Sequence, residues 1–193
     1  MQVINFWIVE NLKNILNICP IKKIQLYNFD ITLVVETKHL LNILLFFKNH
    51  LLCQYNILSC ISAVDYPFKK FRFMIVYELL SIRFNHRIKV KIFSHELLFL
   101  NSVGSIFLSA SWYEAEIWDL FGVFFKNHIN LKRILTDYGF EGFPLRKNFP
   151  LSGFLEFRYN ETKKRVINEF IELSQEYRTF NFISPWKKQQ FTL

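Results

Sequence analysis

The sequence contains few glycines, prolines and cysteines, the residues that most often form turns or cross-link a chain. Its 193 residues include five glycines, five prolines and three cysteines, and its only alanines stand at 63, 110 and 115. So little glycine and proline excludes collagen-like and low-complexity chains. Cys19, Cys53 and Cys60 are odd in number and form no C-x-x-C pair. This argues against a disulfide framework and against a cysteine-ligated zinc or iron–sulfur site, and favours buried free thiols.

The chain also lacks a hydrophobic run that would span a membrane. The longest uncharged stretch of interest, 97–113, contains Asn101, Gly104 and several serines, whereas a span needs about 20 mostly apolar residues. The first residues, MQVINFWIVENLKN, have the pattern of neither a signal peptide nor an Arg-rich transit peptide. We therefore expect a protein that does not cross a membrane and that, if it works in an organelle, is made there.

Aromatic and apolar residues are abundant. Hydrophobic residues make up 51% of the chain, aromatic residues 18%, and there are 23 phenylalanines. Phe, Ile, Asn and Lys have AT-rich codons, so this bias indicates an AT-rich genome, such as that of an organelle. The length predicts one domain plus an extension. The net charge of +8 is mild and spread along the chain, so it fits an anionic protein surface as well as a nucleic acid.

Hydrophobic periodicity predicts an α+β fold, with a small mixed or antiparallel sheet and helices packed on it. In order, the predicted elements are a helix over 3–18, a strand over 24–35, a helix over 38–52, a strand over 55–64, and strands over 71–84 and 87–93 joined at Asn85-His86. Thr37 is expected to cap the second helix. The predicted apolar face of that helix is Leu40, Leu41, Leu44, Leu45 and Leu52. In the last strand, Ile88, Val90 and Ile92 should point inward.

A further helix is predicted over 112–121, ending at Gly122 in a left-handed conformation. Ser111 and Glu114 have the spacing of a capping box. The predicted buried face consists of Tyr113, Ile117, Leu120 and Phe121. Trp112, Glu116 and Asp119 fall on another face, which is expected to be solvated or to meet a partner. Glu114 and Glu116 could in principle be the carboxylate pair of a hydrolase, but the capping role makes this the weaker alternative.

The predicted secondary structure changes near Gly122, because turns dominate beyond this residue. This predicts a compact domain over 1–122 and an extended, turn-rich C-terminal arm over 123–193. Within the arm, 137–153 reads DYGFEGFPLRKNFPLSG and matches no phosphate-binding loop. Its aromatic residues, together with Arg146 and Lys147, suit a protein–protein hot spot or single-stranded nucleic acid. Composition alone leaves both readings open, and a basic RNA- or ribosome-binding protein is the alternative function.

Four segments resemble a known family. They are SASWYEAEIWDLFGVFF (109–125), LKRILTDYGFEGFPLRKNFPLSG (131–153), FLEFRY (154–159) and IELSQEYRTFNFISPW (171–186). These runs resemble the 30-kilodalton subunit of respiratory complex I, the proton-pumping NADH:ubiquinone oxidoreductase, which is organelle-encoded in plants and many protists. A long run of this kind is far more specific than a short motif.

The resemblance implies a non-redox scaffold subunit in the peripheral arm, on the matrix side of the mitochondrial inner membrane. It implies packing on the 49-kilodalton and 20-kilodalton subunits that form the quinone site, and on other subunits of the peripheral arm. FMN, iron–sulfur clusters and ubiquinone would be bound by other subunits, so no catalytic, cofactor or metal residue is expected in this chain. The contacts are expected in 131–153 and 171–186. The candidate partner-interface residues are Glu116, Asp119, Arg133, Asp137, Tyr138, Phe140, Arg146, Lys147, Phe149 and Trp186. The alternative is that these charges pair internally, for example Asp137 with Arg133.

The chain departs from the usual family pattern at four positions. Ala115 stands where Arg is usual, Phe143 where His is usual, Asn148 where Asp is usual and Phe170 where Pro is usual. Spacing alone would allow a helix around Phe170. Because Pro in a helix interior costs about 3 kcal/mol, the family's Pro predicts that 165–173 is extended.

Overall fold

The computed structural model describes residues 19–27, 30–175, 177, 178 and 180. Their elements are β1 (Ile21–Tyr27), β2 (Asp30–Val35), a 3-10 turn (Thr37–His39), α1 (Leu40–Asn49), β3 (Ile57–Asp65), β4 (Phe73–Ser81), β5 (His86–Ser94), β6 (Leu100–Asn101), α2 (Ala110–Phe121), β7 (Phe125–Lys126), β8 (Leu155–Asn160) and β9 (Arg165–Phe170). The predicted helix over 3–18 lies outside the described residues. The α+β prediction is confirmed.

A five-stranded mixed sheet, in the order β1-β2-β5-β4-β3, forms the centre of the fold. Its β4–β5 hairpin matches the predicted pair, although His86 already belongs to β5 and the turn lies before it. The predicted single strand over 24–35 is wrong, because β1 and β2 are separate antiparallel strands with Tyr27 opposite Asp30. The alternation of apolar and polar residues continues through both strands. A period of two therefore gives no sign of the reversal.

The core lies between one face of this sheet and the two helices. Ile88, Val90 and Ile92 point into it and are at most 1% exposed, as predicted. On α1 the buried side chains are Leu40, Ile43, Leu44 and Phe47, spaced at i, i+3, i+4 and i+7. The predicted face is thus partly wrong, since Leu45 and Leu52 are exposed. Thr37 is not the predicted cap either: it begins the 3-10 turn, whose start has no side-chain capping bond.

The second helix protects one edge of the sheet. The Tyr113 hydroxyl of α2 donates to the carbonyl of Ser59 at 2.9 Å, and Ser109 Oγ donates to the carbonyl of Leu58 at 3.4 Å. Both carbonyls belong to the edge strand β3, whose register shifts between Leu58 and Cys60. Unpaired edge groups are templates for unwanted strand pairing. The start of α2 therefore covers the first residues of the β3 edge, while the apolar side of the helix packs on the core.

The chain divides into two compact units between Leu151 and Ser152. Residues 123–151 belong to the first unit, although the sequence placed a domain boundary at 122. In the second unit, β8 and β9 pair as an antiparallel hairpin. The expectation of an extended chain after 165 is confirmed by β9, in which Phe170 pairs with Leu155.

Candidate partner interface

The predicted capping box at the start of α2 is wrong. The helix begins at Ala110, with Ser109 as its N-cap residue and no side-chain capping bond. Glu114 therefore lies inside the helix, where its side chain is fully buried. Its carboxylate accepts hydrogen bonds from Ser102 Oγ at 2.5 Å and from the Val103 amide at 2.7 Å. Glu114 thus ties the loop after β6 to the helix, and no substrate could reach it as a hydrolase would require.

His128 packs beside this carboxylate, with Nε2 at 3.8 Å from Glu114 Oε2. Its Nε2 donates to the Ser111 carbonyl at 3.0 Å, while Nδ1 accepts from the Asn130 amide at 3.1 Å. Burial raises the pKa of Glu114, and the bonds from Ser102 and Val103 only partly oppose that shift.

We expect Glu114→Ala to lower the free energy of unfolding by about 3 kcal/mol, because two buried donors lose their acceptor. Glu114→Gln should stay within about 1 kcal/mol of the wild type at neutral pH, because the amide can still bond while the buried charge is gone. A raised pKa costs the folded state stability as the pH rises from about 4.3 through the folded pKa. Denaturant unfolding of the full chain between pH 4 and 8 should show this fall in the wild type and not in Glu114→Gln. An equal slope in both proteins would contradict the assignment.

Asp119 is the anchor of the loop that follows α2. It was predicted on a solvated or partner-facing side, but its side chain is fully buried. Its Oδ2 accepts the consecutive amides of Ile134, Leu135 and Thr136 at 3.1, 2.8 and 3.0 Å. Its Oδ1 accepts Thr136 Oγ1 at 2.7 Å and Arg133 Nη1 at 3.2 Å. One helix carboxylate thus fixes a whole turn of the loop.

Arg133 completes this anchor. Its guanidinium also donates to the Gly142 carbonyl at 3.2 Å and stacks on Trp118 and Phe143. The internal pairing considered from the sequence therefore exists, but with Asp119 as the partner of Arg133 instead of Asp137. Burial alone raises the pKa of Asp119, yet the hydrogen bonds from Thr136, Leu135 and Ile134 outweigh it and hold the pKa below its usual value.

Arg146 fastens the other end of the same loop to the end of α2. Its Nε donates to the Phe121 carbonyl at 2.6 Å, and its guanidinium lies over the rings of Phe73 and Phe143 at 5.2 and 4.5 Å. Gly122 ends the helix in the predicted left-handed conformation, with φ 76°. A Cβ on Gly122 would lie 2.6 Å from both Arg146 and Phe143. Glycine is needed here for its backbone angle and for this close approach.

A second ionic cluster ties the loop to the end of β3. Arg72 binds buried Asp65 through Nε at 2.7 Å and also contacts Glu96. Asp65 in turn accepts the amide of Lys147 at 2.8 Å, and Arg72 donates to Asn148 Oδ1 at 2.8 Å. Lys147 thus takes part through its backbone, and its side chain is exposed.

The candidate interface residues divide into two groups. Asp119, Arg133 and Arg146 form hydrogen bonds within the first unit. Phe140 packs on Phe149, with ring centroids 5.9 Å apart. Exposed or half-exposed positions are left for Glu116, Asp137, Tyr138 and Lys147. Tyr138 is fully exposed. Trp186 lies outside the described residues. The first group holds the loop in shape, and the second lies at the surface, with Glu116 on α2 and the other three on the loop.

The β8–β9 hairpin carries a surface that sequence reasoning did not single out. Opposed residues share a face in an antiparallel pair, so one face holds Leu155, Phe157, Tyr159, Val166, Asn168 and Phe170. Its apolar members are 41%, 57%, 57%, 64% and 82% exposed. The other face carries charge, including the Arg158–Glu169 ion pair. The alternation of Leu155, Phe157 and Tyr159 was a signal that could have revealed this face.

Among the described residues, no group of three or more His, Cys, Asp or Glu side chains is placed to hold a metal ion. Within the same part of the chain, no helix is long and apolar enough to cross a membrane.

The profile of a known family matches residues 33–155, which is more than half of the chain. That family is described as respiratory-chain NADH dehydrogenase, 30 Kd subunit. The chain belongs to this family. The matched region spans the sheet from β2 onward, both helices and the loop anchored by Asp119 and Arg146.

Relatives agree with the assignment. NADH-ubiquinone oxidoreductase subunit 9 of Reclinomonas americana is 54% identical over 82% of this chain and 78% of its own length. NADH dehydrogenase [ubiquinone] iron-sulfur protein 3 of Solanum tuberosum is 53% identical over 80% and 81%. The chain is therefore a mitochondrial subunit of complex I. It is one of the non-redox subunits of the peripheral arm.

A solved structure supports the fold independently. A chain in the structure of the membrane-bound sulfane sulfur reductase, an archaeal respiratory membrane complex, superposes with a TM-score of 0.66. The match covers 88% of the complex I subunit described here and 98% of that chain, at 24% identity. At this identity the similarity concerns the fold alone.

The four unusual residues of this subunit each fit their surroundings. Phe143 provides the ring on which Arg133 and Arg146 stack. Asn148 accepts a hydrogen bond from Arg72, as an aspartate could. Ala115 is buried, and Phe170 lies on the apolar face of the hairpin.

Proposed function

We propose that this subunit is a scaffold that holds the quinone-site subunits of complex I, of 49 and 20 kilodaltons, in place on the matrix side of the mitochondrial inner membrane. In this proposal the chain is organelle-encoded and binds no redox group itself, and FMN, iron–sulfur clusters and ubiquinone belong to other subunits. The observation that carries the scaffold role is the exposed apolar face of the β8–β9 hairpin.

The low stability expected of an isolated hairpin supports the proposal. An isolated two-stranded hairpin is marginally stable in water at best. This one exposes Phe157, Tyr159 and Phe170 together on a single face. Contiguous apolar surface of that kind is typical of a protein–protein contact. Burial against a neighbouring subunit would supply the missing half of the hairpin's core.

The anchored loop of the first unit supports the proposal in a different way. Its anchors, Asp119 and Arg146, are buried or half-buried, whereas Leu135, Tyr138 and Leu151 are 62%, 100% and 76% exposed. A loop already fixed in one conformation loses less entropy on binding. We infer that these apolar side chains contact a partner, with Glu116, Asp137 and Lys147 as polar residues at the rim.

Charge placed on the hairpin face tests the scaffold role. We expect Phe157→Asp to lower the amount of assembled complex at least tenfold, because an unpaired carboxylate would have to be buried at the contact. Arg165→Asp, a charge change on the opposite face of the same hairpin, should leave assembly near normal. The measurement is native electrophoresis of detergent-solubilised membranes with NADH-oxidation staining, followed by mass spectrometry of the stained band.

The same experiment separates the alternatives. Turnover per assembled complex should be unchanged in both variants, because no reacting group is altered. Full assembly of Phe157→Asp would overturn the hairpin contact. Migration of the wild-type chain with RNA or ribosomes, instead of with the stained band, would favour the nucleic-acid alternative that its pI of about 9.4 leaves open.

A further inference from the structure

The central sheet has a second face that neither α1 nor α2 covers. The helices pack on the face of the sheet that carries Leu33, Ile75 and Val90. The alternate residues of each strand therefore point to the opposite face. Strand pairing aligns these residues in rows across the sheet. One row contains Lys23, Val34, Lys91 and Val76, and the next contains Gln25, Thr32, Lys89 and Glu78.

On this face, β1, β2 and β5 form a groove of about 650 Å³. Its lining residues are Lys23, Ile24, Gln25, Leu26, Tyr27, Asp30, Thr32, Lys89 and Lys91. Strand pairing puts all of these except Ile24 and Leu26 on the face turned away from α1 and α2. At its floor Thr32 is only 7% exposed. The groove thus has a closed floor and polar, largely basic walls.

The lysines of the groove are not equivalent. Lys89 is paired, with Nζ at 2.7 Å from Asp30 and 4.0 Å from Glu78. Lys23 and Lys91 have no carboxylate within 4.0 Å among the described residues. They flank Val34 in one row, so their backbones are separated by two strand spacings, about 10 Å. Among the described residues, the groove therefore offers two ammonium groups without a carboxylate partner, one on each side of β2.

We propose that this groove binds an acidic segment of another complex I subunit, with carboxylates meeting Lys23 and Lys91. The inference rests on membership of the complex and is independent of the hairpin surface. Charge complementarity selects the occupant. A protein segment can place single carboxylates beside Lys23 and Lys91 and avoid Asp30, whereas the closely spaced phosphates of a nucleic acid would also meet that carboxylate.

Amine labelling of the intact complex tests the proposal. The detergent-purified complex is acetylated with a light reagent, denatured and acetylated again with a heavy one. We expect Lys23, which is exposed in the chain itself, to carry at least fivefold less light label than Lys70, an exposed lysine of the loop after β3. Carbodiimide treatment of the same complex should then link Lys23 or Lys91 to an aspartate or glutamate of another subunit.

Other outcomes overturn the proposal. Light labelling of Lys23 equal to that of Lys70 would show an open groove. Protection that disappears on delipidation or nuclease treatment would assign the groove to a lipid or a nucleic acid. Absence of the chain from the NADH-oxidising complex would remove the scaffold proposal as well. A Lys23→Gln, Lys91→Gln double variant should abolish the cross-link, while Lys70→Gln keeps it.

Discussion

Replacing Asp119 with alanine is expected to lower the free energy of unfolding of this subunit by about 3–5 kcal/mol. Removing one partner of a buried, hydrogen-bonded ion pair has a cost of this size. In this case Arg133 loses its counter-ion, and the amides of Ile134, Leu135 and Thr136 lose their common acceptor. Chemical denaturation of the full-length chain measures the difference. Little assembled complex should remain in cells, because a loss of 1–2 kcal/mol already changes abundance several-fold.

The matched control is Glu116→Ala, which removes a half-exposed carboxylate from the same helix and should change stability by less than about 0.5 kcal/mol. The pH dependence gives a second check. A lowered pKa means that the ionised Asp119 stabilises the fold above its unfolded pKa of about 3.9, and that this contribution is lost as the pH falls through the folded pKa. The difference between wild type and Asp119→Ala should therefore shrink below about pH 4. A constant difference across this range would contradict the assignment.

Replacing Arg146 with alanine is expected to lower the amount of assembled complex several-fold while turnover per assembled complex stays near normal. The substitution removes a charge-assisted hydrogen bond to the Phe121 carbonyl, worth about 1.5–3 kcal/mol. It also removes the stacking on Phe73 and Phe143, worth about 0.5–2 kcal/mol. The end of α2 and the loop that it anchors should then separate. Quantitative mass spectrometry of the native band, combined with NADH:quinone activity, measures both quantities.

Lys70→Ala is the control for Arg146→Ala, because it removes an exposed cation from the loop after β3, outside both this network and the surface assigned to the partner. We expect it to assemble normally. Arg146→Lys should recover only part of the loss, since an ammonium keeps the charge but not the planar group that stacks. A fully assembled Arg146→Ala complex with lost turnover would contradict a purely structural role for this residue.

Local pattern was sufficient for several features. The alternation of Ile88, Val90 and Ile92 identified the buried face of β5 because a half-buried strand has a period of two. Gly122 was identified as the end of α2 because glycine adopts a positive φ without strain. The extended conformation after 165 was also correct, but it depended on the proline usual in the family at the position of Phe170.

Other features depended on contacts distant in sequence. Ser111 and Glu114 have the spacing of a capping box, yet Ser102 and Val103 offered Glu114 a buried alternative that no local rule contains. Asp119 looked like a solvated residue because its partners begin fourteen residues later, at Arg133. The reversal between β1 and β2 was invisible for a related reason, since alternation is the same on either side of a turn.

The sequence by itself determined the family, the α+β class and the character of most strands, because these follow from long similar runs and from local periodicity. Only the tertiary structure decided which charged side chains are anchors and which face outward. Whether a carboxylate such as Asp119 is buried or exposed depends on donors brought to it by the fold. The tertiary structure also decided the apolar face of the hairpin and the basic groove of the sheet. Each of these surfaces is made of residues from several strands in a particular register.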